Sequence, residues 1–108
     1  MLRIYSVILD WVSSLPPSIR DISLADANLA DQLRRSSTSV ALNVAEGMGA
    51  TGRVKINSYR IALREMRESM AAIEIASRLE YIPTLDHACN DRQDHIVATL
   101  VRLAKPRN

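Results

Sequence analysis

The sequence predicts an all-α protein: an antiparallel up-down four-helix bundle, with residues 1–108 forming a single domain. Three observations carry this. Leu29, Leu33, Ser36, Val40 and Val44 recur every three or four residues, and Tyr59, Ala62, Met66, Ile73 and Ala76 do the same, which is the period of one helix face. The three glycines and four prolines gather at corners and leave long uninterrupted segments between them. No Phe, one Trp and three Tyr leave the core to Leu, Ile, Val, Ala and Met, and a chain of 108 residues has room for one such core.

Helix 1 is expected from about Leu2 to Leu15. Leu2, Tyr5, Leu9 and Val12 form one stripe, and Ile4, Ile8, Trp11 and Leu15 a second beside it. The combined face is wider than one bundle seam needs, so it is either deeply embedded or shared with another subunit. Pro16-Pro17 is read as its end, because proline removes a donor and clashes with the preceding turn. Ser18 to Ile22 then reads as a connector, and Ser23 with Asp26 as a capping box opening helix 2.

Helix 2 is expected to run to about Glu46. Ser36-Ser37-Thr38-Ser39 interrupts its apolar pattern with small hydroxyl side chains, which let two backbones approach closely. Gly47 is read as the left-handed stop. Gly47-Met48-Gly49-Ala50-Thr51-Gly52 matches the dinucleotide fingerprint in letters only, since that fingerprint follows a strand and here a helix precedes it. Glu46 stands at a helix C-terminus, where the dipole disfavours a negative charge. The expectation is that Glu46 or Asn43 accepts hydrogen bonds from the amides opening helix 3 and clamps the corner.

Helix 3 is expected from about Val54 to Tyr81, and Pro83 breaks the chain after it. Thr84 reads as the next N-cap, with Asp86 in the first turn, and helix 4 runs from about Leu85 to Ala104 with Leu85, Cys89, Ile96, Leu100 and Leu103 inward.

Charge and composition bound the function. The net charge is +2, unevenly spread. Residues 1–33 carry two arginines against four aspartates, and residues 34–68 carry six arginines and one lysine against three glutamates. Arginine suits phosphate contacts, so Arg34, Arg35, Arg53, Lys55, Arg60, Arg64 and Arg67 are the candidate nucleic-acid contacts. A lone Cys89 fits a reducing cytosol rather than a disulfide framework. No window approaches the ~18 apolar residues of a membrane span, so a cytoplasmic location without membrane contact is expected.

Catalytic and metal chemistry find little to work with. His87, Asp91 and His95 share a helix face, but Asp86, Arg92 and Asp94 make that face an ordinary polar surface. Glu46, Glu65 and Glu68 lack the Glu-x-x-His partners of a di-iron bundle. A non-enzymatic protein without cofactor or metal is expected.

Gln32-Leu33-Arg34-Arg35-Ser36, Ser39-Val40 and Asn43-Val44-Ala45-Glu46-Gly47, followed by Arg60-Ile61-Ala62, Glu68 and Leu79-Glu80-Tyr81-Ile82, resemble the signature of the bacterial four-helix-bundle family of 23S rRNA intervening-sequence (S23) proteins. Asn43, Glu46 and Gly47 are its structural motif. Arg64-Glu65 stands where many members have small residues, and Glu80 replaces a common glycine. The resemblance implies a homo-oligomer, commonly a pentameric barrel. It extends in fold to the accessory variability determinant of diversity-generating retroelements, a basic pentamer that binds nucleic acid and a reverse transcriptase. It implies RNA or DNA as a partner, with a reverse transcriptase or another protein as a further one. The rival expectation is a protein–protein adaptor or scaffold that uses the broad face of helix 1 and has no nucleic-acid role.

Overall fold

A computed structural model describes residues 2–106. Five helices and no strand are present among them: α1 (Arg3–Ser14), α2 (Pro16–Ala25), α3 (Ala27–Met48), α4 (Gly52–Arg78) and α5 (His87–Leu103). They form a bundle 45 × 26 × 20 Å. At about 1.5 Å per residue, the long axis is close to the length of α4 alone.

The helix count corrects the sequence reading at one place. Ser18–Ile22 is not a connector but the middle of α2, and Pro16-Pro17 opens that helix as much as it closes α1. Proline costs nothing at the first helical positions, because their N–H groups have no intrahelical acceptor. Leu15 belongs to both ends: at φ −83° and ψ −25° it keeps helical geometry while its N–H reaches Val12. The chain therefore turns a corner without leaving helical space, and Ile22 is driven into the core.

Two caps also differ from expectation. Asp26, not Ser23, caps α3, its carboxylate accepting from the Leu29 amide at 3.0 Å. Asp86, not Thr84, caps α5, accepting from the Cys89 amide at 2.8 Å. Aspartate satisfies an orphan donor and places a negative charge on the positive end of the dipole, which a hydroxyl does not. Those same bonds hold the Asp86 carboxyl below its ordinary range.

α3 and α4 form the antiparallel hairpin on which the rest is laid. Leu33, Ser36, Val40 and Val44 from one side meet Tyr59, Ala62, Met66, Ile73 and Ala76 from the other, all buried as the periodicity requires. Small side chains set the spacing. The Ser36 and Ser69 hydroxyls meet across the seam at 2.7 Å; each has one proton, so one donates across the seam and the other backward, the carbonyls in reach being Leu33 for Ser36 at 3.3 Å and Glu65 for Ser69 at 2.9 Å. The hydroxyl run is thus a close-packing surface whose polar groups are satisfied within it.

Gly47 is the second such device, and its role is not the one expected. It lies inside α3, buried, with no left-handed backbone; a Cβ built on it would stand 2.6 Å from the ring of Tyr59. The helix ends two residues later at Gly49, φ −93°, and the positive φ belongs to Gly52, at +59°. Gly47 is small because Tyr59 occupies the space. The proposed clamp is absent as well. Asn43 donates to the Ser39 carbonyl at 2.9 Å and its hydroxyl at 3.0 Å, one turn back in its own helix, and the exposed Glu46 side chain makes no hydrogen bond among the described residues.

α1 lies against α3 and α5, with Ile4, Ile8, Trp11 and Leu15 fully used in the core and Leu2, Tyr5 and Val12 packed at its margin. Its wide face is therefore mostly consumed within the chain. At the far end, α4 closes in a Schellman turn: the Tyr81 amide reaches the Ala76 carbonyl at 2.8 Å and the Glu80 amide the Ser77 carbonyl at 3.0 Å. Glu80 holds the left-handed position at φ 63°, where glycine is cheaper. No helix among the described residues is long and apolar enough to cross a membrane.

Gly47→Ala is expected to lower stability by about 1–2 kcal/mol, since overpacking against the buried ring outweighs the ~1 kcal/mol gain in helix propensity. On a Tyr59→Val background the same change becomes neutral or stabilising. Urea denaturation of the four members of that double-mutant cycle measures the coupling.

Candidate nucleic-acid interface

The outward face of α4 opposes its core face. Residues 53, 60, 64 and 67 are separated by seven, four and three positions, so Arg53, Arg60, Arg64 and Arg67 fall in one stripe, all exposed. It spans about 21 Å at the helical rise. Arg64 has an acidic neighbour, Glu65, at 3.7 Å, while Arg53, Arg60 and Arg67 form no ion pair among the described residues. The guanidinium donors of those three are therefore available to an external anion.

The other three basic candidates do not join this stripe. Lys55 is half-buried and turned toward the opposite side of the same helix. Arg34 and Arg35 project from α3, and both engage Asp31: Arg34 meets one carboxylate oxygen, and Arg35 Nε stands 3.3 Å from the other. One carboxylate thus offsets part of their charge, at spacings of three and four that are favourable on a helix. Arg35 also borders a shallow hollow with Gln32, Glu65 and Glu68, where Gln32 donates to Glu68 at 2.9 Å. This is a mixed-charge seam rather than a phosphate cradle.

Beyond Arg67 the stripe changes character. Ala71, Ile75 and Leu79 follow with Glu74 and Arg78 between them, and Ile75 and Leu79 are 48% and 54% exposed. A hollow between Arg67, Met70, Ala71, Val97 and Ala98 continues this apolar ground onto α5. Exposed apolar side chains thus stand on the C-terminal half of α4, and also singly at Leu24 on α2, Leu42 on α3 and Val54 at the start of α4, whereas on α1 Leu9 alone is markedly exposed. Arg78 shares the arginine register three turns on, a position the basic middle segment did not include.

The remaining reactive side chains are dispersed. His87, Asp91 and His95 are exposed along α5. Cys89 is half-buried; burial, then its hydrogen bond with Asp86, pushes the thiol above its ordinary pKa and disfavours a nucleophilic thiolate. Burial likewise raises the Tyr59 phenol.

The helical bundle and the spacing of its motif residues meet a family model here: that of the 23S rRNA-intervening sequence proteins matches residues 19–101. The chain belongs to this family. The matched span begins within α2 and includes both the α3–α4 hairpin and nearly all of α5. A crystal structure of a protein of unknown function from the S23 ribosomal protein family of Bacteroides thetaiotaomicron is similar throughout. Its TM-score is 0.81 at 25% identity, covering 94% of this chain and 98% of that one. None of the curated proteins matches the chain. Within this family fold, the Asn43-Val44-Ala45-Glu46-Gly47 motif does structural work through Gly47 against Tyr59 rather than through its carboxylate.

Because Arg53, Arg60 and Arg67 are exposed and unpaired, replacing each by Gln is expected to change unfolding free energy by less than about 0.5 kcal/mol. Chemical denaturation of the triple variant R53Q/R60Q/R67Q checks this. A larger loss shows that the side chains serve the fold.

Proposed function

We propose that this protein is a non-enzymatic nucleic-acid-binding protein that contacts RNA or DNA phosphates through the arginine stripe of α4. The observation that carries this reading is the alignment of Arg53, Arg60, Arg64 and Arg67 on one exposed face, with a single ion pair, Arg64 to Glu65, among them. Buried arginines would serve the core and paired ones the surface; three of these do neither. The family description refers to an rRNA insert, which favours RNA as the polymer to test first. Arg34 and Arg35, held by Asp31, contribute less, and Lys55 least.

The protein acts in this reading as a homo-oligomer, with a pentamer as the expected state. Support comes from the apolar ground of Ala71, Ile75 and Leu79 next to the stripe. Repeating a four-arginine face around a ring multiplies a weak contact by avidity. Sedimentation of Ile75→Glu and Leu79→Glu variants addresses the assembly. The same exposed residues support the rival of an adaptor that binds protein, which predicts no response to phosphate.

Neutralised phosphates release counterions, so log affinity falls linearly with log salt, by about 0.9 per contact on a duplex and about 0.7 on a single strand. For RNA the expected slope from the α4 stripe is roughly −3 to −4 per protomer engaged, and each Arg→Gln change at 53, 60, 64 or 67 flattens it by about one unit. Arg34→Gln and Arg35→Gln have smaller effects. Fluorescence anisotropy with labelled RNA from 50 to 200 mM salt measures this, and binding that ignores salt refutes it.

A further inference from the structure

A hollow lies away from the arginine stripe, where the end of α4, the 79–86 turn and the start of α5 meet. It is a cleft of about 460 Å³, within the range of small-ligand sites. Met70, Ile73 and Leu85 supply its apolar part. Gln93 is the unusual member: a polar side chain only 5% exposed, in a helix position otherwise suited to a hydrophobe.

Half of Gln93 is accounted for. The Trp11 indole donates to its Oε1 at 3.1 Å. An indole N–H can only donate, so it fixes the amide's orientation and leaves the NH2 end pointing elsewhere. That nitrogen has no hydrogen-bond partner among the described residues, although every wholly enclosed polar atom there has one. It therefore borders open space, and the cleft is the hollow that Gln93 lines. The exposed Asn90 stands one turn earlier on the rim, its amide nitrogen only distantly directed at the Leu85 carbonyl, 3.5 Å away, and its carbonyl oxygen free.

We infer that this cleft binds a nucleobase, with Gln93 donating to a ring acceptor or carbonyl and Asn90 accepting from the adjacent N–H. Adjacent acceptor and donor groups on a base edge are what a side-chain amide reads through its donor and acceptor ends; here Gln93 would supply the donor and Asn90 the acceptor. An apolar wall with a methionine suits the faces of a flat heterocycle. Charge narrows the choice further. Glu74 and Glu80 oppose the single Arg78 on the lining, so a free phosphate or a carboxylate ligand is disfavoured, while ribose hydroxyls can donate to the two carboxylates. Glu80 is held over this cleft in a left-handed conformation that glycine would adopt more cheaply. This site does not depend on the phosphate contacts of α4, and the base can come from a free nucleoside or from an unpaired residue of a strand.

Trp11 is the only tryptophan and is bonded to Gln93, so its emission reports directly on the site. Adenosine, guanosine, cytidine and uridine are titrated into the full-length protein, and binding is confirmed by calorimetry. A saturable change with at least one of them is expected. Gln93→Glu keeps an acceptor for Trp11 but turns the donor into an acceptor, and should weaken that binding at least tenfold. Asn90→Ala, at an exposed position that leaves the fold intact, should weaken it at least threefold and serves if Gln93→Glu does not fold. A parallel titration with an unstructured oligonucleotide identifies the source: a response to the oligonucleotide alone, lost with Asn90→Ala, assigns the base to a strand. R60Q/R64Q/R67Q should flatten the salt slope of oligonucleotide binding by about three units and leave nucleoside binding unchanged, so either reading can fail without the other. If no nucleoside and no oligonucleotide is sensitive to Gln93→Glu or Asn90→Ala, the inference is overturned.

Discussion

The distance between α3 and α4 is the constraint on which the rest depends. It is kept short by side chains that are nearly absent: Gly47 under the Tyr59 ring, and Ser36 against Ser69 at 2.7 Å. Close approach brings Leu33, Val40 and Val44 into contact with Ala62, Met66 and Ile73 with no room for solvent. Dense packing of this kind transmits a change of a single methyl group, because nothing nearby is loose enough to absorb it. The other helices add themselves to this pair. α2 turns back along α3, α5 lies on α4, and α1 fills the groove that α3 and α5 leave.

A tight inner seam also decides what the outside of α4 can do. Since one half of the helix is committed to α3 and α5, its arginines have no route inward, and their register follows from the core register without separate specification. The stripe is rigid to the extent that the seam is. Basic groups fixed on a straight helix lose little conformational freedom on meeting a charged polymer, compared with the same groups on a loop.

Much of this was written in the chain. The inward faces of α3 and α4 could be read residue by residue, because a period of 3.6 is imposed by the backbone and does not depend on what the helix packs against. The α4 arginines stood among the candidates for the same reason, but the sequence reading did not separate them from Lys55 or from Arg34 and Arg35, whose pairing with Asp31 the structure shows. Helix boundaries were less legible. Proline ends one helix and begins another by the same chemistry, and only tertiary packing of Ile22 shows that Pro16-Pro17 does both. Three glycines within six residues could not be told apart by letter: one makes room, one sits at a cap and one carries the positive φ. The cleft was invisible, since Gln93 acquires meaning only from Trp11, 82 positions away.

That separation bears on how the molecule is made. Trp11 leaves the ribosome early, yet the amide that satisfies its indole follows 82 residues behind. At translation speeds of about 5–20 residues per second, the gap is roughly 4–16 s. Throughout that interval the indole N–H of the first helix lacks the amide that satisfies it. The α3–α4 hairpin can assemble during the wait from contacts near in sequence, so the nascent chain builds its spine first and latches its two ends together last.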